Sequence, residues 1–196
     1  MMIVRTPTGR RVVLALVLCL APLASAPVNA EDLEAKLALC TGCHGVNGMP
    51  IDPSIPIIAG QEFYYLYVQL KDYKAERRAN PTMSGIVAQM ERSQMKALAQ
   101  HFSEQKWPDV QAAVDDATMN LAQRATAAGQ CVQCHLGGYE GNSRVPRLAG
   151  QQAAYLERTM LDFKNKVRLN SPAKGSLMKA YPDEDVAAMA KFLSGL

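Results

Sequence analysis

Apolar side chains recur at helical spacing in six stretches of the chain. In the first stretch, Leu33 and Leu37 form one apolar face that leads towards Cys40. The last stretch of each half opens with an N-cap candidate, Ser93 or Asp183. The six predicted helices cover residues 32–39, 61–78 and 93–102 in the first half, and 120–130, 152–167 and 183–193 in the second.

The segments between the first and second helix of each half are rich in Gly, Pro and Asn. Residues 45–56 and 136–146 are therefore predicted to be loops. No run of strand length alternates β-branched and polar residues, so no strands are predicted. The fold class that follows from this pattern is all-α.

The two sets of helices belong to an internal repeat. The string C-x-x-C-H occurs at residues 40–44 and again at 131–135, a separation of 91 residues. Downstream, Pro-x-x-Ala-Gly-Gln occurs at residues 56–61 and 146–151. These matches indicate a duplicated domain of about 80 residues. Because so short a domain buries little polypeptide surface, we expect each copy to depend on a cofactor as part of its core.

Residues 1–30 have the pattern of a secretory signal peptide. Three arginines and no acidic residue accompany the apolar run at residues 12–20, and small residues precede Glu31. The run is too short for a stable membrane span. We therefore predict that residues 1–30 are cleaved, that Cys19 is lost with them and that the protein is periplasmic. A retained membrane anchor is the alternative.

Removal of this peptide changes the charge of the chain. The full sequence has 21 Lys+Arg and 18 Asp+Glu, and the loss of three arginines leaves 18 of each. A neutral chain gives no basis for nucleic-acid binding. Of the five cysteines, the four that remain all lie in the two C-x-x-C-H motifs, so none is left for a disulfide or a nucleophile.

Each C-x-x-C-H motif has the residues for covalent attachment of a haem. Its two thiols lie about one helical turn apart, which suits addition to the two vinyl groups, and the following histidine can bind the iron. A zinc site or a redox dithiol would not require this histidine twice. We therefore predict two covalently bound haem c groups. Their attachment residues are Cys40, Cys43, Cys131 and Cys134, and their proximal iron ligands are His44 and His135.

The paired motifs, each followed by Pro-x-x-Ala-Gly-Gln and a helix containing Tyr-Leu, resemble those of the diheme cytochromes c of the c4 class. The resemblance covers almost all of the chain after residue 30. It implies two tandem class I cytochrome c-like domains related by a pseudo-twofold axis, with haem propionates facing each other across the interface. It also implies electron transport in the periplasm and His/Met ligation of both irons.

The residues themselves constrain the distal ligand of each iron. Two of the three histidines belong to the motifs, so bis-histidine ligation of both irons is excluded. His101 lies on a predicted terminal helix and is interpreted as a surface or packing residue. Met83 lies in the predicted loop before that helix, where the family places its methionine. Met83 is the predicted distal ligand of the first iron.

The second half departs from the repeat at this position. A shift of 91 residues carries Met83 onto Lys174, whereas Met178 corresponds to Val87. We predict Met178 as the distal ligand of the second iron, reached through a shorter or differently routed loop. A buried lysine would have to lose its charge at a cost in free energy. Lys174 remains open as an alternative, because a deprotonated lysine can bind haem iron.

These observations predict an electron carrier rather than an enzyme, because catalysis needs an open or displaceable iron position. The predicted partners are redox proteins, namely an electron donor and a terminal oxidase or reductase, with transient association with membrane complexes. The alternative function is an electron-accepting cytochrome subunit of a periplasmic dehydrogenase complex.

The repeat also sets the expected domain limits and one interface role. The first domain is predicted at residues 31–103, a linker at 104–116 and the second domain at 117–196. Arg78 and Arg168 occupy matching positions, and guanidinium groups suit the carboxylates of haem propionates. A solvated arginine at a helix end is the alternative interpretation.

Overall fold

The computed structural model describes residues 30–196. The predicted signal peptide falls, apart from its last residue, on residues 1–29, which lie outside the described part of the chain. Between residues 30 and 196 every regular element is helical, and the only strand-like pairings there are two isolated bridges. The all-α prediction is confirmed. No helix within this range has both the length and the apolar character needed to cross a membrane.

The helices form two sets in chain order. The first set is α1 (Ala30–His44), α2 (Phe63–Lys74), α3 (Pro81–Val87) and α4 (Arg92–Ser103). The second set is α5 (Asp116–Ala128), α6 (Val132–His135), α7 (Ala153–Lys164), α8 (Pro172–Met178) and α9 (Asp183–Ser194). A short 3₁₀ turn, Val46–Gly48, follows α1, and residues 104–115 contain no helix.

The predicted long helices are present, but some of their ends differ. The last helix of the first half is capped by Glu91 rather than Ser93, and the Glu91 N–H donates to Gln94 Oε1 at 2.6 Å. In the second half Pro182 takes the N-cap position, and Asp183 is the first helical residue. The N-cap predictions were therefore wrong by two residues in α4 and by one in α9, and only Glu91 forms a capping box.

Two short helices, α3 and α8, replace what the sequence pattern predicted to be loops. Each begins at a proline, which suits the first helical position because it has no N–H to leave unpaired. Asn80 caps α3 by accepting the Met83 N–H at 2.9 Å. Seven residues are too few for apolar periodicity to show, so the pattern missed both helices. Met83 consequently lies in the first turn of a helix.

Each half has its own apolar core, and the two cores correspond residue by residue. In the first half, Val87 packs with Tyr73, Met90, Met95 and Leu98. In the second half, the matching cluster contains Phe163, Met178, Tyr181, Val186 and Met189, each 90 or 91 positions further along the chain. The methionines Met90, Met95 and Met189 are buried in these cores as packing residues.

The two halves are joined by reciprocal hydrogen bonds from the glutamine of each Ala-Gly-Gln motif. Gln61 Nε2 donates to the Arg147 carbonyl at 3.0 Å, and Gln61 Oε1 accepts the Arg147 N–H at 2.8 Å. Gln151 forms the same pair with Ile57 at 2.9 and 2.8 Å. Both glutamine side chains are 3% exposed. Because each satisfies both backbone groups of a residue in the other half, these contacts define the orientation of the halves.

Candidate functional site

One cavity of about 820 Å³ extends between the two C-x-x-C-H motifs and is lined by both cysteine pairs and both motif histidines. Its volume lies within the range usual for cofactor pockets. All four cysteines are free thiols. Burial raises the pKa of Cys40 to about 11 and also raises the pKa of Cys131.

The imidazoles of His44 and His135 are held in the same way. His44 Nδ1 lies 3.0 Å from the Pro56 carbonyl oxygen, and His135 Nδ1 lies 2.9 Å from that of Pro146. A carbonyl accepts only, so Nδ1 carries the proton and donates it, which leaves Nε2 free to bind a metal. Burial lowers the pKa of both histidines, which favours the neutral imidazole that binds iron.

The turn after each histidine has a backbone conformation that favours glycine. Gly45 has φ 77° and ψ 165°, and a Cβ added there would lie 1.9 Å from the Met49 carbonyl oxygen. Leu136 holds the corresponding place in the second half with φ 67° and ψ 172°. A residue with a side chain is strained in this backbone conformation. The position after the histidine is therefore strained in the second half, at Leu136, but not in the first, at Gly45.

Arg78 and Arg168 lie where the two halves meet, and their backbones form an isolated antiparallel bridge. The two residues are only 8% and 6% exposed, so the solvated alternative for these arginines is wrong. Each guanidinium stacks on an aromatic ring of its own half. Arg78 Cζ lies 4.6 Å from the ring centroid of Tyr73, and Arg168 Cζ lies 4.5 Å from that of Phe163.

The hydrogen-bond acceptors of the two arginines are neutral. Arg78 donates to Gln69 Oε1 at 3.0 Å and to the Tyr155 hydroxyl at 2.8 Å, and Arg168 donates to Gln69 Oε1 at 2.7 Å. Within residues 30–196 neither guanidinium forms a salt bridge with a carboxylate. Two buried cations without an anion are costly, so this junction suits a pair of carboxylates from a bound group.

The positive field at the junction also acts on Tyr65. Burial opposes ionisation of its hydroxyl, but the guanidinium groups of Arg168 and Arg78 outweigh it and lower the pKa of Tyr65 to about 8. The hydroxyl of Tyr155 belongs to the same network, because it accepts a hydrogen bond from Arg78 while its ring is buried in the core.

The distal side of the cavity is lined by α3 in the first half and α8 in the second. Met83 and Lys174 are each the third residue of their helix, and both are partly buried. Val87 and Met178 each end their helix and are fully packed in the cores. The predicted shorter loop is absent. Both helices have seven residues and end five positions before the next helix starts, and the connection before α8 is one residue longer than that before α3.

Lys174 lies at the cavity with an unusual electrostatic environment. Burial lowers the pKa of its amine to about 8, and repulsion from Arg168 acts in the same direction. Its Nζ lies 5.5 Å from the ring centroid of Phe163.

Several residues around the site were not predicted from the pattern. Gln69 Oε1 accepts hydrogen bonds from Arg78, Arg168 and Asn170, and it has no glutamine counterpart in the second half, where Thr159 follows the repeat. Gln61 and Gln151 carried a usable signal, because both copies of the repeat retain them. Gln69 and Asn170 carried none, because their partners come from distant parts of the chain.

Comparison with known proteins gives a consistent result. The family model described as Cytochrome c matches residues 120–196. Cytochrome c4 of Pseudomonas aeruginosa is 30% identical over 193 residues, which cover 93% of this chain and 96% of that protein. The thiosulfate dehydrogenase electron acceptor of Stutzerimonas stutzeri is 29% identical and covers 80% of this chain and 78% of its own length.

Solved structures show the same similarity. The crystal structure of reduced recombinant cytochrome c4 from Pseudomonas stutzeri aligns with a TM-score of 0.76 and 29% identity, covering 86% of this chain and 98% of that one. Cytochrome c4 from Acidithiobacillus ferrooxidans aligns with a TM-score of 0.71 and 28% identity, covering 81% of this chain and 99% of that one.

Proposed function

This chain belongs to the cytochrome c4 family of diheme electron-transfer proteins, and from that premise we propose that it carries electrons between redox protein partners in the periplasm. Its fold is that of two class I cytochrome c domains, and its cofactors are two covalently attached haem c groups. Bound haem c supplies a reversible one-electron change at iron. We place the domains at residues 31–103 and 117–196, with a linker between them.

The observation that supports this role best is the shared cavity, to which each half contributes two cysteines and one histidine of a C-x-x-C-H motif. We assign the first haem to Cys40 and Cys43 and the second to Cys131 and Cys134. His44 and His135 are the proximal iron ligands, each oriented by the proline carbonyl that accepts its Nδ1–H. This bond holds the imidazole ring in one orientation when the iron changes oxidation state.

Met83 is the proposed distal ligand of the first iron. The N–H of Met83 is held by Asn80, and its side chain lies between the core cluster and the cavity. For the second iron, Met178 remains the prediction from sequence and Lys174 the alternative. The two lie four residues apart on the same short helix, so they compete for one iron.

Arg78 and Arg168 are proposed to bind the haem propionates at the junction of the halves. Their burial, their neutral acceptors and the absence of a protein carboxylate partner within residues 30–196 support this role. A site of this kind brings the two cofactors close together, since both arginines share the acceptor Gln69. Electron exchange between the haems would then pass through the junction.

The role of carrier is tested with the exported holoprotein. Its mass should exceed that of the polypeptide by two haems, and both should be reduced and reoxidised reversibly. The first haem should resist carbon monoxide because both of its axial positions are occupied by protein. Turnover of hydrogen peroxide or thiosulfate by the isolated protein would contradict a carrier role.

The second candidate function is an electron-accepting subunit of a periplasmic dehydrogenase. The similarity to the thiosulfate dehydrogenase electron acceptor of Stutzerimonas stutzeri favours it. A tagged chain purified from its own periplasm would distinguish the two functions. A stoichiometric dehydrogenase that stays bound at high salt supports the subunit, and elution of the cytochrome alone supports the shuttle.

A further inference from the structure

The two distal helices of the molecule hold different residues at the same structural position. Helices α3 and α8 both begin at a proline and have seven residues, and their third positions are Met83 and Lys174. Both side chains line the cavity. The register of the helix therefore places the lysine where the first half has its methionine.

Met178 occupies a different position. Unlike Val87 it also borders the cavity, but it is 7% exposed and its packing accounts for its side chain. It packs against Phe163, Tyr181, Val186 and Met189, the counterparts of the four residues that surround Val87. Val87 is a core residue with no polar or metal-binding atom. Met178 lies one helical turn beyond Lys174, about 6 Å along the helix axis. Moving its sulfur to the position of Met83 would empty this part of the core.

The amine of Lys174 is short of partners. Within residues 30–196, its Nζ forms no hydrogen bond and no ion pair, and it lies over the ring of Phe163, 5.5 Å from the centroid. By contrast, Lys164 on α7 donates to the Tyr181 carbonyl at 2.7 Å. A lysine that lines a cavity without a hydrogen-bond partner is available to bind a group placed there.

The connection before α8 provides room for the longer side chain. Three residues separate Arg168 from Pro172, whereas two separate Arg78 from Pro81. The donor nitrogen of lysine is two bonds further from the backbone than the sulfur of methionine. A longer connection allows the helix to stand further from the proximal histidine, which matches the longer reach of lysine.

We infer that Lys174 Nζ, and not the Met178 sulfur, is the distal ligand of the second haem iron, so that the two haems have different ligand sets. The inference rests on the proposed function, since it requires a haem on Cys131 and Cys134. The amine binds iron in its neutral form, and the proton that it loses passes to solvent. Because an amine favours ferric iron more than a thioether does, the second haem has the lower potential. Electrons therefore reside mainly on the first haem.

The test uses the ferric exported holoprotein and three single variants. The methionine-to-iron charge-transfer absorption should correspond to one of the two haems in the unmodified protein. Lys174→Met should roughly double this absorption by giving both irons the same ligand set. Lys174→Ala should convert one haem per chain to a high-spin form that binds carbon monoxide after reduction. Met178→Leu, which keeps the core filled, should leave the spectrum unchanged.

The matched control is Lys179→Ala, because Lys179 follows the same helix and is exposed. It should behave as the unmodified protein. Two methionine-ligated haems in the unmodified protein, with one lost in Met178→Leu, would overturn the inference, as would a spectrum that Lys174→Ala leaves unchanged. The proposed function fails separately, because it requires two covalent haems by mass, a quantity that none of these variants should alter.

Discussion

The two halves of the molecule share their cores and their proximal sites but differ on the distal side. Val87 and Met178 lie in matching clusters, and His44 and His135 donate to matching proline carbonyls. At the distal position, Met83 of the first half corresponds to Lys174 of the second. In the turn after the motif, Gly45 corresponds to Leu136, whose backbone is strained. The five matched core positions differ in residue type but stay apolar or aromatic, so the packing is kept while the residues change. The change of distal ligand that we propose at Lys174 would alter the iron without altering the core clusters.

The interface follows the same division. Gln61 and Gln151 form equivalent bonds across the pseudo-twofold axis, whereas Gln69 accepts from both arginines and has only Thr159 as its counterpart. Symmetry therefore holds for contacts that orient the halves. It is broken in the network that would surround the propionates.

The largest expected effect comes from removing one pair of thiols. Cys40→Ser with Cys43→Ser should abolish covalent haem in the first half and unfold most of it, because the haem supplies much of the core of so short a domain. Cys131→Ser with Cys134→Ser should do the same to the second half. Mass spectrometry measures the loss of one haem in each, and circular dichroism measures the lost helix.

These paired variants are controls for each other. If acid-acetone extraction released both haems from the unmodified protein, the covalent assignment would be wrong. If either double variant kept its full helical content, the cofactor would not be the main part of that core.

The second effect distinguishes the distal sites. Met83→Ala should lower the potential of the first haem sharply and open its iron to carbon monoxide, because a thioether ligand stabilises ferrous iron. The second haem should not respond. A spectroscopic redox titration of the variant and of the unmodified protein measures the two midpoint potentials. Met90→Ala is the control, because Met90 is a core methionine. Persistence of a closed first haem in Met83→Ala would remove Met83 as the ligand.

The third effect concerns the symmetric interface. Gln61→Ala or Gln151→Ala should each lower the free energy of unfolding by about 1–3 kcal/mol, because each leaves a buried backbone N–H and carbonyl without partners. Denaturant unfolding of the holoprotein measures the change. Gln133→Ala is the control, since Gln133 is exposed. Strongly unequal losses in the two variants would show that the interface is less symmetric than its hydrogen bonds.

A smaller effect is expected at the turn after the second motif. Leu136→Gly should raise the free energy of unfolding by about 1 kcal/mol, because glycine adopts φ 67° without strain. Gly45→Ala should have the opposite sign and a larger size, because its Cβ would collide with the Met49 carbonyl. Thermal melts of the two holoproteins compare them. A destabilised Leu136→Gly would mean that the leucine side chain contributes more packing than its backbone costs.

The smallest effect concerns the arginine junction. Arg78→Gln and Arg168→Gln should each lower the midpoint potentials by an amount on the order of tens of millivolts, because a nearby positive charge disfavours ferric iron. The first haem should respond more to Arg78 and the second more to Arg168. Arg144→Gln, at an exposed position, is the control. Unmoved potentials in both variants would exclude the propionate role.

Local patterns in the sequence were sufficient to predict the all-α fold, the repeat and the haem motifs. Helical spacing and C-x-x-C-H depend on residues close together in the chain, so both can be recognised without coordinates. The distal ligand of the second iron was harder. The spacing of the repeat pointed to Lys174, but the free-energy cost of burying and deprotonating a lysine favoured Met178, which was therefore the prediction.

The sequence by itself determined the helical class, the duplication and the two covalent attachment sites, because each depends on residue type and short-range spacing. Only the tertiary structure decided that Arg78 and Arg168 are buried together and that Met178 lies in the core. It also decided that Gln61 and Gln151 each form hydrogen bonds with the backbone of the other half. These contacts join residues as much as 94 positions apart. The free energy of these contacts depends on which polar groups lose their hydrogen bonds to water. Those groups are buried only once both halves have packed together.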